Sequence, residues 1–446
     1  MKNKWILALA LNLVVLACAT SLHASGALSS WQARLTHPFY VSRAASSNIV
    51  LVGIDDKTLS APEEGGLGSM KDWPRAHFST LIGNLREAGA HSIYMDIVFR
   101  NSSQSVSYFD LANLYLESRS AEKVGETVLS YLQYGHPQDA QLGAAMGEDV
   151  FLLQTLSNTP QLKDGILQVD DAPQALPEFL QKARPVSAQG SVEGAQDVVY
   201  NFPLGYQTPK GFEESVPLAL ARDFLHPEGG SAGLFVDGNT RYHFDEEREI
   251  PVEKGSFVLP YIGPAYSFPL FSFTDVVRGL VDPKVFEGKM VLVGATSPLL
   301  QDIHFTPTAS SVPMPGIEIL ANGTQSILEG IFLHHQSTGA FALMLLGFLL
   351  LLTVAGLRLP VFASLGVLFA EGLALWALAF WLFQRGIIID LLWMLFALVL
   401  AYFGILAYRN ATEFREKRKL KSAFGHYVSP ALVEHLSEHP EALHLG

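Results

Sequence analysis

Four long apolar runs dominate the hydropathy pattern of this chain. They extend over Trp5–Leu22, Ser337–Leu357, Val361–Phe383 and Ile387–Tyr408. Each has about 18 to 23 residues, which is enough for a helix to cross a hydrocarbon core of about 30 Å. Only a few residues separate the last three runs, which indicates antiparallel helical hairpins in lipid. The pattern therefore predicts one N-terminal and three C-terminal transmembrane helices.

Basic residues indicate which side of the membrane is cytoplasmic. A basic cluster follows the fourth run and consists of Arg409, Arg415, Lys417, Arg418, Lys419 and Lys421. Because cytoplasmic flanks are enriched in Lys and Arg, we expect this end in the cytoplasm, and Lys2 and Lys4 give the N-terminus the same placement. Residues 24–336 are then expected outside the cytoplasm, in the periplasm or the extracellular space.

The first apolar run admits three interpretations. An uncleaved membrane anchor is favoured by the three later runs, which belong to the same membrane pattern. A cleaved signal peptide is the second interpretation, because small residues follow the run. A lipoprotein signal is the third, because Val15-Leu16-Ala17-Cys18 resembles a lipobox and Cys18 would then carry the lipid.

Residues 24–336 have the pattern of a mixed α/β domain. Asn48–Ile54 is a short run rich in β-branched residues and predicts a buried strand. Pro74–Ala88 has apolar residues at helical spacing and ends before Gly89, and Ser92–Val98 predicts the next strand. Strand, helix and strand with short connections indicate a right-handed βαβ unit with a pair of parallel strands.

Further elements are predicted along the same segment. Strands are expected at Val150–Leu156, Asp197–Phe202 and Lys289–Gly294, followed by a helix at Gly316–Leu328. An amphipathic helix is expected over residues 108–134. Residues 101–107 and 157–196 are rich in Ser, Gln and Pro, and are expected to be loops. The fold class is thus an α/β extracytoplasmic domain joined to an α-helical membrane bundle.

Composition and charge narrow the classes of function. Hydrophobic residues make up 49% of the 446 residues and charged residues only 16%, which excludes a disordered chain. The formal net charge of −13 repels the phosphate groups of nucleic acids, so we expect no nucleic-acid partner. The basic cluster after the fourth run is expected to face lipid headgroups. Cys18 is the single cysteine, which excludes an intramolecular disulfide.

The candidates for ligand binding lie in and around the predicted strands: Asp55 and Asp56 end the first strand, and Asp96 lies within the second. The candidates are Asp55, Asp56, Trp73, Arg75, Asp96, Thr296 and Ser297. Because ligands of open α/β sheets bind beyond the carboxyl ends of the strands, these groups could hold a cation or a polar solute. The alternative is structural: Asp56 would cap a turn, Asp96 would pair with Arg75 and Thr296 would cap a helix.

Other chemical signals are few. Glu371 lies in the third apolar run, where a carboxyl group is either structural and hydrogen-bonded or functional. The sequence has no Gly-x-Ser-x-Gly elbow, no His-Glu-x-x-His motif and no P-loop. No catalytic residue and no metal ligand is therefore assigned in this chain.

Several blocks resemble the extracytoplasmic CHASE2 sensory domain. They include NIVLVGIDDKTL, WPRAHFSTLIGNLREAGAHSIYMDIVF, FEGKMVLVGATSPLLQDIHFTP and MPGIEILANGTQSIL, which occur in the family's order within residues 48–328. The resemblance implies an N-terminal anchor (residues 1–23), a sensor (24–336), three closely spaced helices (337–408) and a cytoplasmic segment (409–446). It also implies a bacterial inner-membrane protein that senses an unknown extracytoplasmic ligand.

The tail is similar to the segment that precedes the catalytic domain of class III adenylate cyclases. The similarity rests on residues 423–430, AFGHYVSP, followed by ALVEHL, and His426 stands where the family usually has Arg. It implies a transducer containing Phe424, Gly425, Tyr427 and Pro430. The first metal-binding Asp of a cyclase would lie beyond Gly446, so Mg or Mn and ATP are expected only with a cyclase domain that residues 1–446 do not include.

The sequence thus predicts a sensory and regulatory region that couples an extracytoplasmic signal to cAMP synthesis. A homodimer is expected, because the resemblance implies a catalytic site formed between two cyclase domains. Two alternatives remain open. One is the same sensor attached to a kinase or a diguanylate cyclase, and the other is a membrane-tethered periplasmic enzyme with a metal at Asp55, Asp56 and Asp96. A transporter is disfavoured, because Glu371 is the single carboxylate near the middle of a span.

Overall fold

A computed structural model describes residues 2–99, 115–134, 137–156, 158–170, 177–187, 198–228 and 233–424. The chain divides into two units, which are described separately. Residues 1–35 and 335–446 form the first, here called the membrane unit, and residues 36–334 form the second, here called the α/β unit.

Four helices of the membrane unit are long and apolar enough to span a membrane. They are Lys2–Ala24, Thr338–Arg358, Val361–Phe383 and Leu391–Phe424, here called the first to fourth spans. The first span packs against the second and the fourth, and the third packs against the same two. A short helix, Ser29–Leu35, contacts the fourth span. One N-terminal and three C-terminal spans confirm the predicted fold class.

Polar side chains of the N-terminal segment bind backbone groups of the later helices. Asn12 Nδ2 donates a hydrogen bond to the Leu349 carbonyl oxygen at 3.2 Å. Gln32 Nε2 donates to the Ile389 carbonyl at 2.7 Å, and Gln32 Oε1 accepts from the Leu392 amide at 2.8 Å. Because unsatisfied polar groups are costly in lipid, these bonds fix the first span and its following helix to the bundle.

Six parallel strands form the central sheet of the α/β unit. They are β1 (Ile49–Ile54), β2 (Ser92–Met95), β3 (Val150–Gln154), β4 (Arg184–Ser187), β5 (Leu270–Ser272) and β6 (Met290–Ala295). Their order across the sheet is β5-β1-β6-β2-β3-β4. The two strands at the centre of the sheet, β6 and β2, are therefore far apart in sequence.

Both faces of this sheet are buried. Side chains alternate along β1, so that Ile49 and Leu51 belong to one hydrophobic cluster while Val50, Val52 and Ile54 belong to the other. Helices Val216–Leu225 and Gly316–Glu329 cover the first face, and helices Ala76–Glu87, Pro137–Ala145 and Phe273–Val277 lie on the second. Because both faces of the sheet are buried, nearly every residue of the central strands is apolar, and each of these strands is a continuous apolar run in the sequence.

Smaller elements surround the central sheet. Antiparallel strands form three further sheets: Leu234–Val236 with Arg241–His243 and Glu249–Pro251, Asn201–Pro203 with Ser256–Val258, and Ile303–Thr306 with Ala309–Pro315. A mixed sheet contains Gln161–Lys163, Ile166–Gln168, Gly205–Thr208 and Gly211–Glu214. Two-residue strands occur at His334–His335 and Ile387–Ile388. One longer helix, Ala121–Tyr134, lies outside these sheets. The remaining helices and 3₁₀ turns are short and are His37–Phe39, Asp56–Leu59, Pro62–Glu64, Met70–Asp72, Pro177–Leu180, Pro283–Val285 and Pro298–Leu300.

The structure corrects two predictions of local order. β1 and β2 are parallel as expected, but they do not pair with each other, because β6 lies between them and bonds to both. The expected loop over residues 157–196 is wrong in its described part, which contains two short strands, a short helix and the edge strand β4. In β4 only Val186 and Ser187 are buried, so the sequence of this strand has no apolar run that would predict it. Residues 101–114, which include the first part of the predicted amphipathic helix, lie outside the described residues.

Removing a side chain from the centre of the sheet tests the two-sided core. Leu292 in β6 is fully buried, so Leu292→Ala is expected to lower the free energy of unfolding by about 2–5 kcal/mol. Leu280→Ala is the matched control, because Leu280 is 69% exposed and its loss is expected to change stability by less than about 0.5 kcal/mol. Urea titration of the detergent-solubilised chain, followed by circular dichroism, measures both. Equal losses of unfolding free energy in the two variants would contradict the burial of Leu292 in the core of the sheet.

Candidate functional site

The carboxyl ends of four neighbouring strands border a cavity of about 760 Å³. Ile54 of β1, Ala295 of β6, Asp96 just after β2 and Gln154 of β3 contribute to its wall. This edge of an open α/β sheet is where such folds bind ligands. The volume also lies in the range of about 300–1,000 Å³ that small-molecule sites occupy. All lining residues belong to the α/β unit.

Asp96 is held at this edge by backbone contacts. Its amide donates to the Val293 carbonyl of β6 at 2.8 Å, which continues the pairing of the strands. Gly294 makes the approach possible: a Cβ atom there would overlap the side chain of Ile317 and come within 2.8 Å of Asp96 Cβ. A residue with a side chain at position 294 would therefore push β6, Asp96 and the helix Gly316–Glu329 apart.

The carboxyl group of Asp96 is in an environment that opposes its charge. The Tyr94 hydroxyl donates a hydrogen bond to Asp96 Oδ1 at 2.8 Å. Burial, and secondly the nearby carboxylate of Asp302, raise the pKa of Asp96 to about 7, although the bond from Tyr94 and the proximity of His304 act in the opposite direction. The same burial and the proximity of Asp96 raise the pKa of Tyr94 well above its ordinary value. Asp96 is thus a carboxyl group that changes its protonation near neutral pH.

Asp302 and His304 bring two more titratable groups to the cavity. His304 Nε2 lies 3.2 Å from Asp302 Oδ1. The Asp302 carbonyl accepts from the Gly316 amide at 3.0 Å, at the start of the helix Gly316–Glu329. A Cβ atom at Gly316 would overlap the Asp302 carboxylate, so glycine is needed for Asp302 to lie against the helix N-terminus, where a negative charge is favourable.

Gln154 adds a buried polar group without a hydrogen-bond partner. Its side chain is 2% exposed, it lines the cavity, and its Oε1 finds no donor in the described part of the chain. Buried polar atoms are almost always paired in native structures, which makes this atom a candidate contact for a ligand. Gln154, Asp302 and His304 were not selected from the sequence. Two features of the sequence could have indicated them. Gln154 lies in the predicted strand Val150–Leu156, and Asp302 and His304 lie in a short polar segment between a predicted strand and a predicted helix.

Asp55 and Asp56 serve the local structure beside the cavity. Asp55 caps the helix Asp56–Leu59 by accepting from the Thr58 amide at 2.8 Å, and it also accepts from the hydroxyls of Thr58 and Ser272 at 2.6 and 2.9 Å. Asp56 accepts a short hydrogen bond from the Ser297 hydroxyl. These contacts tie the end of β1 to the last residue of β5 and to the segment after β6, and neither carboxylate lines the cavity.

Trp73 belongs to the hydrophobic cluster on the second face of the sheet, and Arg75 directly precedes the helix Ala76–Glu87 on that face. Trp73 Nε1 donates to the Gly68 carbonyl at 3.0 Å, and its ring stacks on Phe273 with centroids 5.1 Å apart. Arg75 Nε forms an ion pair of 2.9 Å with Asp139, so that Asp139 takes the role considered for Asp96. Both side chains stabilise the packing of helices against the sheet.

Thr296 and Ser297 continue the chain after β6. Their amides donate to the Ile54 carbonyl at 3.1 and 3.0 Å. The Thr296 side chain lies against Gly53, where a Cβ atom would overlap it, and Ser297 caps the 3₁₀ turn Pro298–Leu300. Of the binding candidates chosen from the sequence, Asp96 is thus the one that lines the cavity.

The remaining candidates lie in the membrane unit. Glu371 is buried in the third span, and its two carboxylate oxygens have no hydrogen-bond partner within the described residues. Phe424 is the last residue of the fourth span, whereas Gly425, Tyr427 and Pro430 lie outside the described residues. Across the described ranges no group of three His, Cys, Asp or Glu residues is placed to hold a metal ion.

The architecture defines a class: an α/β domain with a ligand-sized crevice, carried in a chain with helices that can span a membrane. The family comparison is consistent with it, because the model of the CHASE2 domain matches residues 10–357. The chain belongs to the CHASE2 family and is a membrane protein with a sensory domain. Neither the curated proteins nor the solved structures gave a significant match.

The raised pKa of Asp96 predicts how stability depends on pH. The folded protein binds this proton more tightly than the unfolded chain, in which an Asp titrates near about 3.9. Stability from this group is present at pH 4 and is lost as the pH rises to about 7. Asn cannot ionise and retains the oxygen that accepts from Tyr94. A pKa difference of about 3 between the folded and the unfolded chain corresponds to about 4 kcal/mol, so Asp96→Asn is expected to raise the free energy of unfolding at pH 8 by up to about 4 kcal/mol, and to change it little at pH 4.

Urea titrations of the detergent-solubilised chain at pH 4 and pH 8 measure this difference. Asp275→Asn is the control, because Asp275 forms a surface ion pair with Lys57, and such pairs contribute little to stability. A loss of stability in Asp96→Asn at pH 8 would contradict the assignment of a destabilising charge.

Proposed function

We propose that this protein is a receptor in the bacterial inner membrane that binds an extracytoplasmic ligand in the crevice at Asp96 and regulates a cytoplasmic class III adenylate cyclase domain. The CHASE2 match supports a sensory input. The tail motif AFGHYVSP at residues 423–430 supports a cyclase as the output. Mg or Mn and ATP would be used by that catalytic domain.

The fourth span is the observation that carries the proposal. It is one continuous helix of 34 residues, Leu391–Phe424. At a rise of 1.5 Å per residue it is about 50 Å long, whereas the hydrocarbon core is about 30 Å thick. About 20 Å of rigid helix therefore continues beyond the lipid. Because a helix moves as a rigid element, a shift of the span inside the bundle is transmitted directly to the segment at Phe424.

The side chain of Arg409 supports this role for the helix. Arg409 Nη1 donates to the carbonyl oxygens of Gly356 and Leu359, at 2.9 and 2.8 Å, where the second span ends. The helix is thus attached to its neighbour at the edge of the bundle, and the residues after Arg409 leave the bundle from a fixed point. The exposed basic residues that follow, up to Lys419, suit contact with anionic lipid headgroups.

Dimerisation is part of the proposal. Class III catalytic sites form between two domains, so two copies of the chain would be needed for one site. The regulatory step is then a shift between two arrangements of the paired helices. The hydrogen bonds of Asn12 and Gln32 within the membrane unit support an uncleaved N-terminal anchor in each copy.

The orientation of the chain gives a direct test. With both termini in the cytoplasm and residues 24–336 outside, an alkaline phosphatase fusion at Gly230 is expected to be active, and a fusion at Gly446 inactive. A cytoplasmic fluorescent reporter at the same two positions should give the opposite result, which controls for expression. Cytoplasmic signal at Gly230 would overturn the topology and the proposed extracytoplasmic ligand.

Breaking the fourth span beyond the membrane tests the transmission of the signal. Thr412 lies in this part of the helix, and Pro at this position removes a backbone hydrogen bond and kinks the helix at a cost of about 3 kcal/mol. In residues 1–446 joined to a class III cyclase domain, Thr412→Pro is expected to change basal cAMP output by at least about fivefold. Membrane insertion should stay the same, because the apolar part of the span is intact.

Thr412→Ala is the matched control, since it removes the same hydroxyl and keeps the helix. Its cAMP output is expected to equal that of the parent. Cyclic AMP is measured in membranes from a cyclase-deficient bacterium, with protein amounts normalised by immunoblot. Equal output from the Pro variant, the Ala variant and the parent would show that the helix is a passive linker. Gly425→Pro and Tyr427→Ala extend the same test into the proposed transducer, which also includes Phe424 and Pro430.

A further inference from the structure

The walls of the crevice are mostly apolar. Side chains from separate segments of the chain form this apolar surface, and they include Ile54, Met70, Leu153, Phe202, Leu300 and Ile319. Apolar walls with a few polar groups are typical of sites for small organic molecules, because the walls remove the ligand's apolar surface from water while the polar groups fix its orientation. The occupant is therefore expected to have an apolar body.

Three polar side chains in the wall offer hydrogen-bond acceptors, beside the Thr155 hydroxyl and the His304 imidazole. Asp96 and Asp302 supply carboxylates, and Gln154 supplies a buried carbonyl oxygen without a donor. The described residues that line the cavity include His304 but no Lys or Arg. The crevice thus becomes negatively charged when both carboxyl groups are ionised. An unpaired buried acceptor and two carboxyl groups in the wall of one cavity favour a ligand that donates hydrogen bonds and carries a positive charge.

A bare metal ion does not suit this site. Asp96, Asp302 and His304 are not arranged as a metal-binding group, since no such group of three occurs among the residues that the structure describes. A cavity of about 760 Å³ with apolar walls is also far larger than the oxygen-lined shell that a hard cation requires. The positive charge is therefore expected on an organic molecule.

We propose that the crevice binds a small organic amine, with its ammonium group placed between the carboxyl group of Asp96 and the amide oxygen of Gln154 and its apolar body against the walls. This inference rests on the proposed function, because it names the ligand class of the same crevice. It also explains why Asp96 is kept at the edge of the sheet, where a carboxylate without a counterion is unfavourable.

The site then has a defined dependence on pH. The groups that face Asp96 are the Tyr94 hydroxyl, the Asp302 carboxylate and the His304 imidazole. The pKa of Asp96 is about 7, so Asp96 is mostly neutral at pH 6 and mostly ionised at pH 8. An ammonium ion stabilises the ionised form. Its affinity is expected to be about tenfold higher at pH 8 than at pH 6, in proportion to the ionised fraction.

Three probes of similar shape and different charge test the proposal. Benzylammonium, benzyl alcohol and benzoate are titrated into the full chain in detergent by calorimetry at pH 6 and pH 8. Benzylammonium is expected to bind at least about tenfold more tightly than benzyl alcohol at pH 8, because its charge-assisted hydrogen bonds are stronger. Benzoate is expected to bind most weakly. A preference for benzyl alcohol or benzoate, or an affinity for benzylammonium that is the same at both pH values, would overturn the proposal.

Two variants locate the binding site. Asp96→Asn is expected to lower the affinity for benzylammonium at pH 8 by about tenfold and to remove its pH dependence. Asp275→Asn, which changes a surface carboxylate outside the cavity, is expected to bind as the parent does. An unchanged affinity in Asp96→Asn would place the amine elsewhere and overturn the assignment. If this variant does not fold, the comparison of the three probes with the parent chain still decides the ligand class.

The outcome separates this inference from the proposed function. Binding of benzylammonium without a change in cAMP from the cyclase fusion would support the ligand class and contradict coupling to a cyclase. A cAMP response to a neutral or anionic compound, with no binding of benzylammonium, would support the sensor function and overturn the amine.

Discussion

Burial of the central sheet on both faces is the constraint on which the rest of the α/β unit depends. β1 and β6 are fully or almost fully buried along their length, and helices cover the two faces. With both faces filled by apolar side chains, the strand ends are the places in the sheet where polar side chains meet. The crevice at Asp96 is a consequence of this arrangement, because four strand ends and the start of a helix surround it.

The crevice also depends on close backbone approach. Gly294 and Gly316 lack the side chains that would displace Asp96, Ile317 and Asp302. The two carboxyl groups are consequently brought near one another, and the burial of Asp96 and the repulsion from Asp302 favour the neutral form of Asp96. The sheet packing therefore sets the acid–base properties of the site, and a group that titrates near neutral pH is suited to respond to a charged ligand.

In the membrane unit the corresponding constraint is the absence of water in lipid. Within a helix the backbone N–H and C=O groups form hydrogen bonds with one another, but those at the helix ends lack such partners. Side chains bind some of these groups: Gln32 does so at the start of the fourth span and Arg409 at the end of the second. These contacts fix the ends of helices that would otherwise slide in a uniform apolar medium. A bundle that is fixed at its edges and continues as one long helix can transmit a small displacement.

The sequence by itself determined the elements whose signal is local. The four spans follow from runs of apolar residues, and β1, β6 and the helix at Gly316 follow from short apolar patterns ending in polar residues or glycine. It also selected Asp96 as a binding candidate, although it placed this residue within a strand, whereas the strand ends at Met95. These features depend on residues that are close in the chain, so that periodicity and length suffice to predict them.

The tertiary structure alone decided which distant segments meet. β6 inserts between β1 and β2 although about 200 residues of chain separate it from both, and no local pattern encodes that pairing. The same long-range packing brings Asp302, His304 and Gln154 to Asp96, while it assigns Asp55, Asp56, Arg75 and Ser297 to caps and ion pairs. Whether a polar residue at a strand end binds a ligand or supports the fold depends on the partner that packing provides, and that partner lies far away in sequence.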